Sequence, residues 1–326
     1  MRLTFHRYFV FVLALLTLAL PVISIAQEET PPVAPTPTPA PALPQVTTPQ
    51  ERPQAYETLT VDDLTLELLF PGLKQGRAAL LRLTGPDVNG ARLRFLDKVT
   101  AFFHVEGDGY YAFIVAGMDQ TPGRTYDFTV QAIRADGSTV SIPGEVRVDL
   151  GGFIRQDIVV PVERAYLVDP LVERTELARM ETFFTEFTPE QLWDEDGFQY
   201  PINAPTTSPF GAFRTFNNTT ETRHTGWDIR AAIGTPVMAM GTGEVVFAGL
   251  LDIRGNHVII DHGYGVYSGY SHLSQVHVTR GQTVRRGQII GVSGNSGRSS
   301  GPHLHWELVI NDEWVDVVDF LNTWIP

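Results

Sequence analysis

His303-Leu304-His305-Trp306-Glu307 carries a polar side chain at every second position and an apolar one between. Successive side chains of a β-strand point to opposite faces. The run therefore predicts a strand with His303, His305 and Glu307 on one face and Leu304 and Trp306 on the other. Neighbours on one face stand about 6.6 Å apart, so one imidazole can hold an ion while the other reaches a group bound to it. The segments Val237 to Met240, Gly243 to Ala248, His257 to Ile260, Tyr267 to His272 and Gly287 to Gly291 are also short and β-favouring, with glycine-rich links between them. An all-β barrel or sandwich is expected over residues 199–326, with little helix before Val317 to Leu321.

Two more motifs lie in the same region, His224-Thr225-Gly226-Trp227-Asp228 and Ser271-His272-Leu273-Ser274, and seven of the nine histidines fall in the last third of the chain. Imidazole and carboxylate are the usual ligands of a catalytic zinc, which takes three protein ligands and keeps a fourth position open. His224 and Asp228 can both reach one ion from a turn into a strand. Two imidazoles and one carboxylate leave such a site with a charge near +1, which lowers the pKa of a bound water toward about 7. Spacing alone leaves open which of His303 and His305 is the ligand, and it does not place His272.

The composition narrows the chemistry. The 326 residues are 43% hydrophobic with a formal charge of −13. An acidic chain with no basic run longer than Arg285-Arg286 lacks the clustered cations that nucleic acid requires. The absence of cysteine excludes disulfides, thiolate metal sites and thiol catalysis, so any metal rests on nitrogen and oxygen.

The amino-terminal residues read as a secretory leader over 1–26: Arg2 and Arg7, an apolar run from Phe9 to Leu20, then Ser24-Ile25-Ala26 as a cleavage site. No transmembrane segment is expected once it is removed. Prolines 31, 32, 35, 37, 39, 41 and 44 make residues 27–55 an extended spacer. Short strands with turns at Gly107 to Gly109 and Asp136-Gly137 predict an immunoglobulin-like β-sandwich over 56–150. A short helical connector is expected over 151–198. Asp169-Pro170 starts its helix, Leu177, Met180, Phe184 and Phe187 form one face, and Thr188 to Gln191 is a capping box for a second helix.

Taken together, Ser208 to Gly211, His224 to Asp228, Gly234 to Val237, Gly243 to Val245, Tyr270 to Leu273, Gly281 to Val284, Gly287 to Gly291 and Gly301 to Glu307 resemble the lysostaphin-like zinc metalloendopeptidases. These bacterial enzymes cut the peptide part of peptidoglycan. The resemblance covers roughly residues 200–320. It implies one Zn2+ held by His224, Asp228 and His305, with His272 and His303 as catalytic histidines in amide hydrolysis. It also implies an extracytoplasmic, cell-wall-associated protein acting on peptidoglycan peptides, and a monomer is expected. Phe213, Ser268-Gly269, Trp306 and Val317 depart from the family pattern, and none is a proposed ligand.

The family pattern gives His257, His262 and His277 no ligand role, and they read as structural. Asp252, Asp261 and Glu244 are a weak signal for a glycosidase pair. Glu307 is either a support for the histidines on its own face or a solvated carboxylate at a strand end. The alternative function is a non-catalytic wall-binding protein, or an activator of another wall hydrolase on the same fold. Such relatives usually lack ligands, whereas all five positions are filled here.

Overall fold

A computed structural model describes residues 51–185 and 187–326. The expected leader and the spacer up to residue 50 lie outside the described residues. The described residues belong to one compact unit built mostly from β-strands.

Its first part is a pair of five-stranded sheets. One runs in the order Glu57–Val61, Leu64–Leu68, Arg77–Thr84, Gly109–Ala116, Phe103–Val105; the other runs Leu73–Lys74, Thr139–Asp149, Arg124–Arg134, Val88–Phe95, Lys98–Ala101. Alternation along each strand sends Leu64, Leu66, Leu81, Leu83 and Ile114 of the first sheet against Leu93, Phe128, Val130, Ile142 and Val148 of the second, all fully or nearly fully buried. The first sheet also packs on the C-terminal part. The Phe103 ring stacks on Tyr264 at 4.1 Å, and Phe113 and Tyr111 meet Phe320 and Trp324. Lys98 pairs with Glu313 at 2.9 Å, and Arg77 pairs with Asp319.

The connecting segment does more than link. Arg155–Ile158 pairs in parallel with Phe213–Phe216, which pairs in turn with Thr220–Arg223. After a 3-10 turn, Val162–Val168, comes the helix Pro170–Phe184. The Asp169 carboxylate accepts from Leu171 N at 2.8 Å and so caps it, with Pro170 at the first helical position, where no N–H is missed. Met180 and Phe184 bury against Phe247, Ile259, Tyr267 and Val309, and Glu176 is buried with them. The second helix expected at Thr188 does not form. The Thr188 hydroxyl donates to Asp261 Oδ2 (2.6 Å) instead of capping, and Thr188 O and Leu192 N bond the turn at Tyr264 and His262. A tertiary partner for the hydroxyl outcompetes the local cap.

The C-terminal sheet is antiparallel. Its main order is Thr206–Ser208, Gly226–Arg230, His303–Ile310, Val266–Val276, Gly255–Asp261, Gly243–Leu251, Thr283–Val284. Leu304, Trp306 and Leu308 are fully buried on the core face, as the alternation requires. The short helix Val317–Leu321 is capped by Asp316, whose carboxylate also accepts from Trp227 Nε1 at 2.7 Å. Among the described residues no helix is long and apolar enough to cross a membrane.

Candidate metal centre

The strand Gly226–Arg230 lies antiparallel beside His303–Ile310, with Asp228 directly opposite His305 and Gly226 opposite Glu307. Directly opposed side chains on one face are the closest pairs that a sheet makes. Gly226 is needed for this approach, because a Cβ there would stand 2.3 Å from Trp306 O and 2.9 Å from the His305 ring. His224 enters from the turn before the strand. His224 Nε2, Asp228 Oδ1 and His305 Nδ1 then lie 3.0 Å from one another, and all three residues are buried.

The bonds behind these atoms fix which way their lone pairs point. His224 Nδ1 donates to Pro209 O at 2.6 Å, so Nε2 carries the lone pair. His305 Nε2 faces Glu307 Oε2 at 3.4 Å, so Nδ1 is the inward acceptor. Arg214 donates to Asp228 Oδ2 and to Ser208 Oγ, leaving Oδ1 turned inward. Three acceptors facing one point repel one another unless a cation sits among them. Their 3.0 Å spacing is close to the edge of about 3.3 Å that separates ligands around a tetrahedral ion with bonds of about 2.0 Å. The electrostatics agree. Burial opposes a charge on His305, yet hydrogen bonds to Asp228 and Glu307 outweigh it and raise its pKa, so the carboxylates favour a positive charge at this corner, which a proton or an ion can supply. Burial likewise opposes ionisation of Asp228, but Arg214 and the histidines hold its carboxylate well below the usual range. Burial pushes His224 down to about 4, so it stays neutral and available as a ligand. The residues therefore fit a divalent ion bound by two imidazoles and a carboxylate.

His272 reaches the centre through a β-bulge. Asn256 pairs with Leu273 and Val258 with Tyr270, so Ser271 and His272 together oppose His257. The extra residue re-aims the side chain. His272 adopts φ +61°, a left-handed backbone held by bonds from its own N–H to Arg254 O and from its ring Nδ1 to Ser296 O, both 2.8 Å. Its ring lies 4.7 Å from that of His303 and 6.0 Å from that of His305. Burial, reinforced by these two rings, keeps its pKa well below the ordinary value. His303 Nδ1 donates to Gly301 O at 2.8 Å, and its Nε2 stands 3.5 Å from Asp228 Oδ1. Both rings are pinned at Nδ1 to a carbonyl, which leaves Nε2 as the nitrogen that can handle a proton. A groove of about 550 Å3 opens over His224, His272 and His305.

Beneath the centre Glu307 is buried, not solvated at a strand end. It accepts from Arg254 Nε (2.7 Å) and Nη2 (2.9 Å), from Thr225 Oγ1 (2.9 Å) and from Trp314 Nε1 (3.0 Å). Arg254 is buried too and reaches on to Glu176 of the connector helix at 3.2 Å. No motif in the sequence marks Arg254, Glu176 or Arg214 as supports. A glutamate at position 176, on the apolar side of the predicted helix, is the one available signal.

The other histidines of this region give no nitrogen to the triangle. His257 is fully buried with Nδ1 3.0 Å from Ser271 Oγ, and burial lowers its pKa to about 3. His277 is on the surface, 3.4 Å from Gln275 Oε1. His262 Nδ1 donates to Thr242 O at 2.9 Å and its Nε2 accepts from the Ser268 hydroxyl at 2.8 Å; burial lowers its pKa to about 4. The unfolded chain protonates this group near pH 6.5 and the folded one does not, so its contribution to stability is whole above about pH 6.5 and is lost as pH falls toward 4. Between pH 7.5 and 5 His262 is expected to withdraw on the order of 2 kcal/mol. Urea midpoints across that range should vary less with pH in His262→Gln than in the parent, and an unchanged slope refutes the assignment.

The Peptidase family M23 model matches residues 222–317. The chain is 46% identical over 95 residues to the peptidoglycan DD-endopeptidase ShyA of Vibrio cholerae, a match covering 29% of this chain and 22% of that one. It is also 46% identical over 95 residues to the DD-carboxypeptidase/endopeptidase Mpg of Neisseria meningitidis, with the same coverage. The match thus spans about a fifth of the length of these curated relatives. Among solved structures, a Pseudomonas aeruginosa chain described as peptidase M23 superposes with a TM-score of 0.57 at 26% identity, covering 77% of this chain and 95% of that chain. The lysostaphin catalytic domain of Staphylococcus simulans is 34% identical over 37% of this chain and 94% of its own, with a TM-score of 0.34. The segment 222–317, which contains His224, Asp228, His272, His303 and His305, is a Peptidase family M23 domain.

Proposed function

We propose that this protein is a zinc-dependent endopeptidase that hydrolyses amide bonds in the peptide part of peptidoglycan, outside the cytoplasm, as a monomer with one Zn2+. The observation that carries this reading is the triangle of acceptor atoms from His224, Asp228 and His305, 3.0 Å on each side, beneath an open groove. The peptidoglycan endopeptidases among the relatives support the substrate class.

Bound by these three side chains, zinc supplies Lewis-acid polarisation of the scissile carbonyl and a nucleophilic water at neutral pH. The chain's own residues do the rest. His272, neutral and fixed through Nδ1, accepts a proton at Nε2. A second proton on His303, at the Nε2 that stands 3.5 Å from Asp228 Oδ1, lets this ring donate to the carbonyl oxygen as negative charge grows there. Proton return to the departing amine completes the cycle. Glu307 and Arg214 keep the imidazole and the carboxylate from rotating.

The test is digestion of purified peptidoglycan, with new amino termini identified by mass spectrometry. A chelator is expected to lower their release by at least about a hundredfold and added zinc to restore it. Wall binding by zinc-loaded protein with no release of new amines overturns the reading in favour of a non-catalytic wall protein.

A further inference from the structure

The groove over the centre holds more cations than anions although the chain is acidic, with Glu173 and Glu221 as its lining carboxylates. Five arginines line it: Arg174, Arg214, Arg223, Arg254 and Arg298. Three are satisfied by close carboxylates. Arg214 is bound by Asp228, Arg254 by Glu176 and Glu307, and Arg298 by Glu173 at 2.9 Å. Arg223 is different. Its nearest carboxylate, Asp119, stands 3.6 Å away and is 88% exposed, and its bond to Met118 O is a long 3.4 Å. Its Nε is buried with no partner, as is that of Arg214, but Arg214 has the close Asp228 carboxylate that Arg223 lacks. The guanidinium lies over the rings of Phe213 and Phe153, at 4.0 and 4.5 Å from their centroids. On the same groove Arg174 projects from the exposed side of the connector helix and pairs with no carboxylate among the described residues.

A guanidinium that is half desolvated, held flat by aromatic rings and short of a counter-ion has already met the cost of burial and orientation. An arriving carboxylate gains the charge-assisted bonds without repeating that cost. Burial does lower the Arg223 pKa, but an arginine stays charged at neutral pH. We propose that Arg223, with Arg174 on the same groove, forms a carboxylate subsite, and that the preferred substrate is a peptide with a free carboxylate near the scissile amide. This rests on the wall-peptidase reading for its turnover but not for its binding. It also gives the N-terminal sandwich a part in specificity, since Met118 lines the groove and Met118 and Asp119 hold the outer edge of Arg223.

The experiment uses the full chain and two wall-derived peptides that differ only in having side carboxylates free or amidated. Binding is read by calorimetry after chelation, where turnover stops, and kinetics on the zinc-loaded protein. The parent is expected to bind the free acid about tenfold to a hundredfold more tightly, as a charge-assisted hydrogen bond allows. Arg223→Met should erase that preference, raising KM for the free acid with kcat within about twofold. Arg223→Lys should keep part of it, and Arg174→Met should lose part. Equal binding of both peptides by the parent, or full preference in Arg223→Met at unchanged zinc content and thermal midpoint, overturns the subsite. If Arg223→Met does not fold, the two-peptide comparison on the parent and the Arg223→Lys response decide. Preference in binding with neither peptide cut leaves the subsite standing and sinks the peptidase reading instead.

Discussion

His305→Ala is expected to lose both its zinc and its hydrolysis, the latter by about 10^4-fold or more, whereas His303→Ala keeps zinc and loses turnover by about 10^2- to 10^4-fold. The contrast follows from two positions on one face of a strand and from one cross-strand pair. His305 sits opposite Asp228 and brings Nδ1 to 3.0 Å from both Asp228 Oδ1 and His224 Nε2. Removing it leaves two donors, too few to close a tetrahedral site at low metal concentration. His303 lies opposite Arg230, one pleat further along, with Nε2 3.5 Å from Asp228 Oδ1 and Nδ1 tied to Gly301 O. Its loss leaves the triangle intact and takes away an imidazole beside it. Zinc content after gel filtration, measured beside peptide release, separates the two. Full activity in His305→Ala, or zinc lost from His303→Ala but kept in His305→Ala, refutes the assignment of roles.

The strand itself was legible because its alternation is strict. Leu304 and Trp306 enter the core, and His303, His305 and Glu307 turn away from it. What the residues could not decide was which histidine joins Asp228. That depends on the register between two strands over 70 residues apart, and nothing local sets it. His272 was hidden for a related reason. Regular alternation would put it and His257 in simple pairing, and only a bulge lets Ser271 and His272 share one partner. The connector was read correctly at Asp169-Pro170, where the cap is local, and wrongly at Thr188, where a hydroxyl found a carboxylate 73 positions away. Local chemistry is readable when no distant partner offers more.

Arg254 was silent in the sequence for the same reason, and its removal is the second large effect expected. One guanidinium serves two buried carboxylates, Glu307 through Nε and Nη2 and Glu176 through Nη1. Burial opposes every charge in this set, but mutual attraction raises the Arg254 pKa and holds Glu307 well below the usual carboxylate range. Arg254→Met strands both acids away from water, which costs about 3–5 kcal/mol of stability and should appear as a lower urea midpoint. It should also weaken zinc binding by about tenfold to a hundredfold, because Glu307 then loses the fork that aims Oε2 at His305 Nε2. Glu307→Gln separates the two effects. It keeps the shape and the Thr225 and Trp314 contacts, so zinc affinity should fall while much of the stability stays. Glu176→Gln touches the centre only through Arg254, and its zinc affinity should change least of the three. Competition with a metal indicator gives the affinities. Zinc affinity unchanged in both Arg254→Met and Glu307→Gln would mean that the buried charges hold the helix to the sheet and do nothing for the metal centre.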